Sequence, residues 1–296
     1  MTSNFELLTQ INLDDLVTSF GWHGRPLASR LLKKIFIKPA RTFARIMVDY
    51  DSAVGERGLV DASRLTQDHF VRDVRVFGLD RVPDSAFLAL SNHPGMSDTL
   101  SLFCALNRPD LKIIALDRPF LNALPNISKQ LFYVKEDAAS RMSLVRQVTT
   151  HLRSGGAALT FPAGHIEPDP EAYDGAVDSL KAWTDSAGVF IRMAPETAIL
   201  PVFVRGVVLK KAARHWLLTI KRSREEKEKL AAALQLLAHL AFQQKDVHVK
   251  VQIGQPITAG QLGTTDPQVI HQAVLAEVKR LIENPPIGEG ISALNR

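Results

Sequence analysis

The sequence contains a single cysteine, Cys104, so no disulfide bond can form within the chain. This fits a reducing compartment, where thiols stay free. No apolar run reaches about 18 residues without a charge, so we expect no membrane-spanning helix. The first residues are polar and acidic and do not resemble a secretory signal. We therefore expect a cytoplasmic location, with peripheral attachment to the inner membrane face as the open alternative.

Several signatures of common functional sites are also missing from the sequence. There is no ligand cluster with the spacing of a zinc site, so we expect no metal. The glycine-rich fingerprints that hold nucleotide phosphates are absent, and we expect no bound cofactor. The G-x-S-x-G turn of serine hydrolases is absent as well, which argues against that class of enzyme.

Acidic residues are outnumbered by basic ones, which gives a net charge of +5 and a sequence pI of about 9.3. A balance of this kind suits an anionic partner, such as a membrane surface, a nucleic acid, or a phosphorylated or CoA-bearing substrate. No nucleic-acid-binding motif occurs, and the basic residues cluster near the N-terminus. We therefore expect no nucleic-acid partner.

Residues 1–73 are predicted to form a helical accessory segment, followed by a catalytic domain at residues 74–296. Within 20–48, seven basic residues are interleaved with apolar and aromatic ones, and no acidic residue occurs. Pro39 is predicted to divide this stretch into two helices, and a loop is predicted after Arg57 and Gly58. A basic amphipathic helix is typical of binding to an anionic membrane surface. Packing of its apolar residues onto the catalytic domain is an equally open interpretation.

From residue 74 onward, short β-rich runs alternate with helical ones, which predicts an α/β fold. We expect a mixed, largely parallel sheet flanked by helices, with the helical segment at its N-terminus. Predicted strands lie at 74–78, 86–90, 111–116, 131–134, 157–161, 198–204, 216–220 and 247–253. Two helices are predicted at about 97–106 and 138–153, and a third is predicted to begin at Ser223. A fourth is predicted to begin at Asp266-Pro267, with Asp266 as its N-cap and Pro267 as its first helical residue.

The stretch SNHPGMSDTL at 91–100 is the strongest candidate for chemistry. A buried strand ends at His93, Pro94 and Gly95 turn the chain, and a helix follows. In α/β folds, reactive groups lie at such strand ends. With His93 on the loop and Asp98 in the first helical turn, the carboxylate can orient the imidazole as a base. The alternative is a purely structural role for Asp98 at the helix N-terminus.

A second strand ends in the stretch FPAGH at 161–165. The small residues Ala163 and Gly164 would let backbone N–H groups approach a phosphate or a developing oxyanion. An ordinary turn is the alternative. Several charged residues near these loops are expected to be solvated: Arg118, Arg141, His165, Glu167, Lys181 and Arg205. Cys104, Trp183 and Trp216 are expected to be buried or partly buried.

These blocks resemble the glycerolipid acyltransferases, the glycerol-3-phosphate and lysophosphatidate acyltransferase superfamily. NHPGMSD is similar to the family's N-H-x4-D block, and FPAGH stands where the family has F-P-E-G. VRVFGLDRVP resembles its lead-in strand, and AILPVFVRG resembles a later strand block. The resemblance covers residues 74–255, and the blocks occur in the family's order.

The resemblance implies transfer of an acyl group from acyl-CoA or acyl carrier protein to a hydroxyl of a glycerol-phosphate or lysophospholipid acceptor. His93 would be the general base and Asp98 its partner. Lys135 stands where the family has an arginine for the acceptor phosphate, and Ala163 replaces a glutamate. Glu167 could supply a nearby carboxylate in its place, as the alternative to a solvated loop residue. The remaining residues expected to bind substrate are Asn92, Phe161, Pro162, Gly164 and His165. The alternatives are an acceptor such as a lyso-ornithine lipid, or a lipid-binding relative without catalysis.

Overall fold

The computed structural model describes residues 4–22, 24–242 and 245–295. Three helices precede the sheet: α1 (Asn4–Phe20), α2 (Pro26–Arg57) and α3 (Leu59–Phe70). Pro39 lies inside α2, so the predicted break at this proline is wrong. Loss of one backbone hydrogen bond at Pro39 is offset by packing of α2 against α1 and α3. The predicted loop after Arg57 is also wrong, since Gly58 ends α2 with φ +83° and α3 begins at once.

Within the described residues, eight strands form one sheet. They are β1 (Asp73–Phe77), β2 (Phe87–Ser91), β3 (Lys112–Leu116), β4 (Leu131–Val134), β5 (Ala157–Thr160), β6 (Ala198–Arg205), β7 (His248–Ile253) and β8 (Ile291–Ser292). Their order is β4-β3-β5-β2-β6-β7-β1-β8. The first five in this order are mutually parallel, whereas β7 pairs antiparallel with β6 and β8 antiparallel with β1. The prediction of a mixed, largely parallel sheet flanked by helices is confirmed.

Helices connect these strands and cover both faces of the sheet. They are α4 (Met96–Leu106), α5 (Pro119–Asn122), α6 (Pro125–Ser128), α7 (Ala138–Arg153), α8 (Ala176–Ser179), α9 (Ser186–Met193), α10 (Lys210–Ala213), α11 (Arg224–Phe242), α12 (Ala259–Leu262) and α13 (Pro267–Glu283). On one face α2, α3 and α4 share an apolar cluster with the strands. On the other face, residues of α7, α9 and α13 form a second cluster.

The strand predicted at 216–220 is wrong, because Trp216–Ile220 forms a short 3₁₀ helix. Only Leu218 of this run is buried, and the Trp216 side chain is 70% exposed, contrary to the expectation for this residue. A short apolar run does not distinguish a strand from a helical turn by its pattern. Trp183 and Cys104 are buried, as expected.

The predicted domain boundary falls where α3 ends and β1 begins. The N-terminal helices nevertheless share one apolar cluster with the sheet, which includes Leu8, Phe43, Val74 and Val76. The division into an accessory segment and a catalytic domain stays a prediction. No helix in the described ranges is long and apolar enough to cross a membrane.

Candidate active site

The sheet brings the two candidate loops together at the carboxyl ends of neighbouring parallel strands. β2 and β5 pair in register, with Leu90 opposite Thr160, and each strand ends within a residue of this pair. The chain then leaves β2 through Asn92 and His93, and leaves β5 through Phe161. Both loops therefore begin side by side, because parallel strands end at the same edge of a sheet.

His93 and Asp98 are in direct contact across the turn at Pro94 and Gly95. The Nδ1 atom of His93 lies 2.8 Å from Oδ2 of Asp98. The same oxygen accepts the Gly95 N–H at 2.9 Å, and Oδ1 accepts the Thr99 hydroxyl at 3.0 Å. The Asp98 side chain is 0% exposed and that of His93 is 30% exposed. A fully bonded carboxylate thus lies behind an imidazole that solvent can reach.

This geometry selects the tautomer and raises the basicity of the ring. Because an ionised carboxylate only accepts hydrogen bonds, Nδ1 of His93 carries the proton and Nε2 has the free lone pair. Burial lowers the pKa of His93, but the Asp98 carboxylate, assisted by that of Glu167, outweighs burial and raises the pKa above its ordinary value of 6.5. The ring is therefore a stronger base than a free histidine.

The loop after β5 holds the other side of the imidazole. The rings of Phe161 and His93 stack with their centroids 4.6 Å apart. The carbonyl of Pro162 accepts the N–H of Thr184 at 3.2 Å, so this turn is tied to the chain beyond it. Gly164 adopts φ +69°, and its N–H donates to the carbonyl of Phe161 at 3.0 Å. The Gly164 N–H therefore closes a turn, and the approach of backbone N–H groups of this loop to an anion stays a prediction.

Asn92 lies at the base of the site with its side chain buried. Its amide nitrogen donates to the carbonyl of Val204 at 2.8 Å, and its amide oxygen accepts the N–H of Val204 at 2.7 Å. These two bonds continue the pairing of β2 with β6 by one residue. Both polar ends of the Asn92 side chain are thus used to fix the strand end from which His93 projects.

Glu167 is buried behind His93, with 1% of its surface exposed, so the expectation of a solvated residue is wrong. Its carboxylate accepts the His93 N–H at 3.1 Å, the Trp183 indole N–H at 2.7 Å and the Ser179 hydroxyl at 3.2 Å. Its own N–H donates to the carbonyl of His93 at 2.8 Å. Burial raises the pKa of Glu167. The residue clamps the backbone of His93 to the loop after β5.

Asp169, which the sequence analysis did not single out, fastens the same loop to the end of β6. Its carboxylate is fully buried and accepts the N–H groups of Gly206, Val208 and Glu171 at 3.1, 2.9 and 3.0 Å. Burial raises its pKa. The signal in the sequence was a run of acidic and proline residues, EPDPE at 167–171, on the loop that follows β5.

The predicted cationic and polar residues lie at varied distances from His93. Lys135 follows β4, which is three strand spacings from β2, or about 14 Å at the usual spacing. It is half exposed and lies 3.7 Å from Oδ2 of Asp117. His165 is exposed on the loop after Gly164. The structure therefore does not gather every predicted substrate-binding residue around the imidazole.

Two other basic residues do more than contact solvent. Arg118 follows β3, and although it is exposed, its positive charge lowers the pKa of His93. Its charge therefore acts on the candidate base. Arg205 is buried, contrary to expectation, and donates to the carbonyl of Leu281 at 2.7 Å. Among the described residues, no group of His, Cys, Asp and Glu side chains is arranged to hold a metal ion.

Residues 73–205 match a family model described as Acyltransferase. The matched range begins with β1, ends with β6, and includes His93, Asp98 and the FPAGH loop. The chain is also similar to the crystal structure of the 1-acyl-sn-glycerophosphate (LPA) acyltransferase PlsC from Thermotoga maritima. The identity is 17%, the match covers 96% of this chain and 98% of that one, and the TM-score is 0.44. No curated protein sequence matches the chain. The segment 73–205 is therefore similar to the Acyltransferase family.

Proposed function

We propose that the protein transfers a fatty acyl group from an acyl thioester to a hydroxyl of a glycerol-phosphate or lysophospholipid acceptor, with His93 as general base. The observation that carries the proposal is the contact of 2.8 Å between Nδ1 of His93 and the buried carboxylate of Asp98. This contact leaves Nε2 as the proton acceptor of the ring. No nucleophilic side chain is required, because the acceptor supplies its own hydroxyl.

The reaction then follows in two steps. Nε2 of His93 takes the proton of the acceptor hydroxyl while that oxygen attacks the thioester carbonyl carbon. The resulting imidazolium is stabilised by Asp98, and the tetrahedral intermediate collapses by breaking the carbon–sulfur bond. The thiolate leaves and takes the proton from His93. Atoms and charges balance, and the ester and a free thiol are the products.

The acceptor phosphate requires a cation near the base, and two residues are candidates. Arg118 carries a guanidinium, which can bind phosphate through two parallel hydrogen bonds, and its charge acts on His93. Lys135 lies farther along the sheet edge and has Asp117 as a partner. We assign the phosphate to Arg118 and Lys135 together. The PlsC protein of Thermotoga maritima is described as acting on lysophosphatidic acid, which is one acceptor of this class.

We also propose that α2 rests on an anionic membrane surface. One side of α2 is buried against the rest of the protein, including Leu32 and Phe43. A second stripe at spacing of four, formed by Leu27, Leu31 and Ile35, is exposed. The basic residues Arg30, Lys34 and Lys38 are exposed between and beyond these positions. An exposed apolar stripe among basic side chains is the composition of a helix at a lipid surface.

The function is tested by supplying the purified protein with an acyl-CoA or an acyl carrier protein and a panel of acceptors. The panel contains glycerol-3-phosphate, a lysophosphatidic acid, a neutral lysolipid and a lyso-ornithine lipid. Mass spectrometry of the products identifies the acceptor, and release of thiol measures the rate. An acylated phosphate-bearing product supports the proposal. If only the lyso-ornithine lipid were acylated, the acceptor would be that lipid and the proposed phosphate-bearing acceptor would be wrong. If lipid bound without any release of thiol, the protein would be a lipid-binding protein without catalysis.

A further inference from the structure

The segment between β6 and β7 forms an open cavity of about 460 Å³ that lies outside the His93 contacts. Its walls come from the loop after β5, from α10, from the 3₁₀ helix at Trp216–Ile220 and from the start of α11. The charged and aromatic side chains that line it are Tyr173, Arg214, His215, Arg222, Arg224, Lys227 and Glu228. A volume of this size admits a small organic ligand.

The charge of this cavity is strongly positive. It has four Arg and Lys side chains and one carboxylate, that of Glu228, which accepts from Nε of Arg224 at 2.8 Å. In the part of the chain that the structure describes, no carboxylate forms an ion pair with Arg214, Arg222 or Lys227. Three cations that converge without anionic partners favour a ligand with several negative charges.

The cavity also has a polar group without a partner and an aromatic platform. The hydroxyl of Tyr173 is buried and has no hydrogen-bond partner among the described residues. Burial raises the pKa of Tyr173 to about 12, so the hydroxyl keeps its proton and can donate. Trp216 follows the lining residue His215, with which it stacks, and its ring is exposed. Exposed aromatic rings are the surfaces on which nucleobases stack.

The loop after β5 connects this cavity to the candidate active site. Glu167 exchanges backbone and side-chain hydrogen bonds with His93, and Tyr173 lines the cavity six residues later. Six residues span at most about 20 Å, even when fully extended. Asp169, between them, holds the loop to the end of β6. One anchored loop therefore contacts the base through Glu167 and lines the cavity through Tyr173.

We propose that this cavity binds the nucleotide end of an acyl-CoA donor, with Arg214, Arg222 and Lys227 on its phosphates and Trp216 beside the adenine. CoA carries a 3′-phosphate and a pyrophosphate at one end of the pantetheine arm and the thioester at the other. The separation of the phosphates from the thioester matches a cationic cavity that lies apart from His93. The arm of acyl carrier protein has a single phosphodiester and no nucleotide, which leaves these cations unmatched. This inference rests on the proposed acyl transfer and names its donor.

Direct binding tests the cavity without any need for turnover. Adenosine 3′,5′-bisphosphate, the nucleotide fragment of CoA, is titrated calorimetrically into the wild-type protein and two double variants. Arg214→Glu with Arg222→Glu reverses charge in the cavity, while Arg146→Glu with Arg192→Glu makes the same change at exposed positions on α7 and α9. Each lost charged contact lowers affinity on the order of tenfold, so we expect about a 100-fold loss for the cavity variant only. Equal affinities of both variants would overturn the proposal.

Two further measurements identify the source of the phosphates. Trp216→Ala is expected to weaken binding of the bisphosphate while inorganic pyrophosphate binds as before, because only the former has a base. Sedimentation with phosphatidylglycerol vesicles tests a lipid headgroup instead. If the cavity variant lost vesicle binding but kept its affinity for the bisphosphate, the cavity would bind a lipid headgroup and the proposal would be wrong.

Kinetics then separate this inference from the proposed function. In the cavity variant, the ratio of kcat/KM for acyl-CoA to kcat/KM for acyl-pantetheine, which lacks the nucleotide, should fall at least tenfold. An unchanged ratio alongside normal acyl transfer would overturn the inference and leave the function intact. Absence of transfer from either donor by the wild-type protein would instead overturn the function. Transfer from acyl carrier protein but not from acyl-CoA would overturn the inference alone.

Discussion

Replacing Asp98 by Asn removes the negative charge behind His93 and keeps the shape of the side chain. With its amide oxygen at the Oδ2 position, the asparagine still accepts from Nδ1 of His93 and from the N–H of Gly95, and its NH₂ group faces the Thr99 hydroxyl, which can accept. The change therefore tests charge with little change of geometry.

The magnitude follows from the contact itself. A hydrogen bond to a charged group contributes about 1.5–3 kcal/mol, and two unit charges at about 4 Å near a protein surface interact with about 4 kcal/mol. The imidazolium that forms during the reaction loses this stabilisation in the variant. Since each 1.36 kcal/mol is a factor of about ten in rate, we expect kcat to fall by about 10- to 1,000-fold. The Michaelis constant for the acceptor should change little.

The pH profile distinguishes an electrostatic role of Asp98 from a structural one. Asp98 raises the pKa of His93, and the base must be neutral to act, so wild-type kcat/KM should rise with pH through a value above 6.5. In Asp98→Asn this inflection should move to lower pH, because the carboxylate that favours the imidazolium is gone. Initial rates of thiol release between pH 5 and 9, on protein checked by circular dichroism, measure both effects.

A matched control is Asp137→Asn, which changes the exposed cap of α7, whose side chain accepts the Ser140 N–H. Asn is as good a cap as Asp, so this variant should keep its rate and its pH profile. If Asp98→Asn stayed folded and matched the control in rate and inflection, Asp98 would be only a helix-end acid. The assignment of His93 as a base oriented by Asp98 would then be refuted.

Four further predictions concern other residues of the protein. His93→Ala should lower turnover by about 100- to 10,000-fold in acyl-transfer assays while circular dichroism stays native, and a near-native rate would exclude the mechanism. Lys135→Ala should raise the Michaelis constant for a phosphorylated acceptor more than for a neutral one, and equal effects would remove it from phosphate binding. The double variant Lys34→Glu with Lys38→Glu should sediment less with anionic vesicles at low salt, because each cation near the surface contributes roughly 1 kcal/mol to the free energy of binding. Unaltered binding would contradict docking by α2. Asp169→Ala leaves three N–H groups without their acceptor, one buried and two partly buried, and should lower the free energy of unfolding by about 3 kcal/mol in urea denaturation. A loss below about 1 kcal/mol would show that the loop is held by other contacts.

The sequence alone predicted most of the elements that build the site. Seven of the eight predicted strands are present, and α7 occupies the range predicted for it. The cap at Asp266 forms as expected, with its carboxylate accepting from Gln268 and Val269. These signals are local, since apolar periodicity, capping side chains and turn residues act over a few positions. The position of His93 at a strand end before a helix followed from the same local signals.

Local patterns failed where distant parts of the chain decide the outcome. Helix α2 continues through Pro39 because α1 and α3 pack along it, which no window around the proline shows. The run Trp216–Ile220 has the composition of a strand but forms a 3₁₀ helix beside α11. In both places tertiary packing outweighs the intrinsic preference of the segment.

Tertiary structure alone placed the groups that surround His93. Glu167 contacts residue 93 across 74 positions of sequence, and Asn92 reaches Val204 across 112. Both contacts exist because β5 and β6 pair with the two edges of β2, an order that strand patterns do not encode. The sequence thus determined which residues can do the chemistry, since that depends on side-chain type and on local turns. The fold decided which polar groups are buried beside the base, because burial and its effect on pKa arise only when distant strands meet.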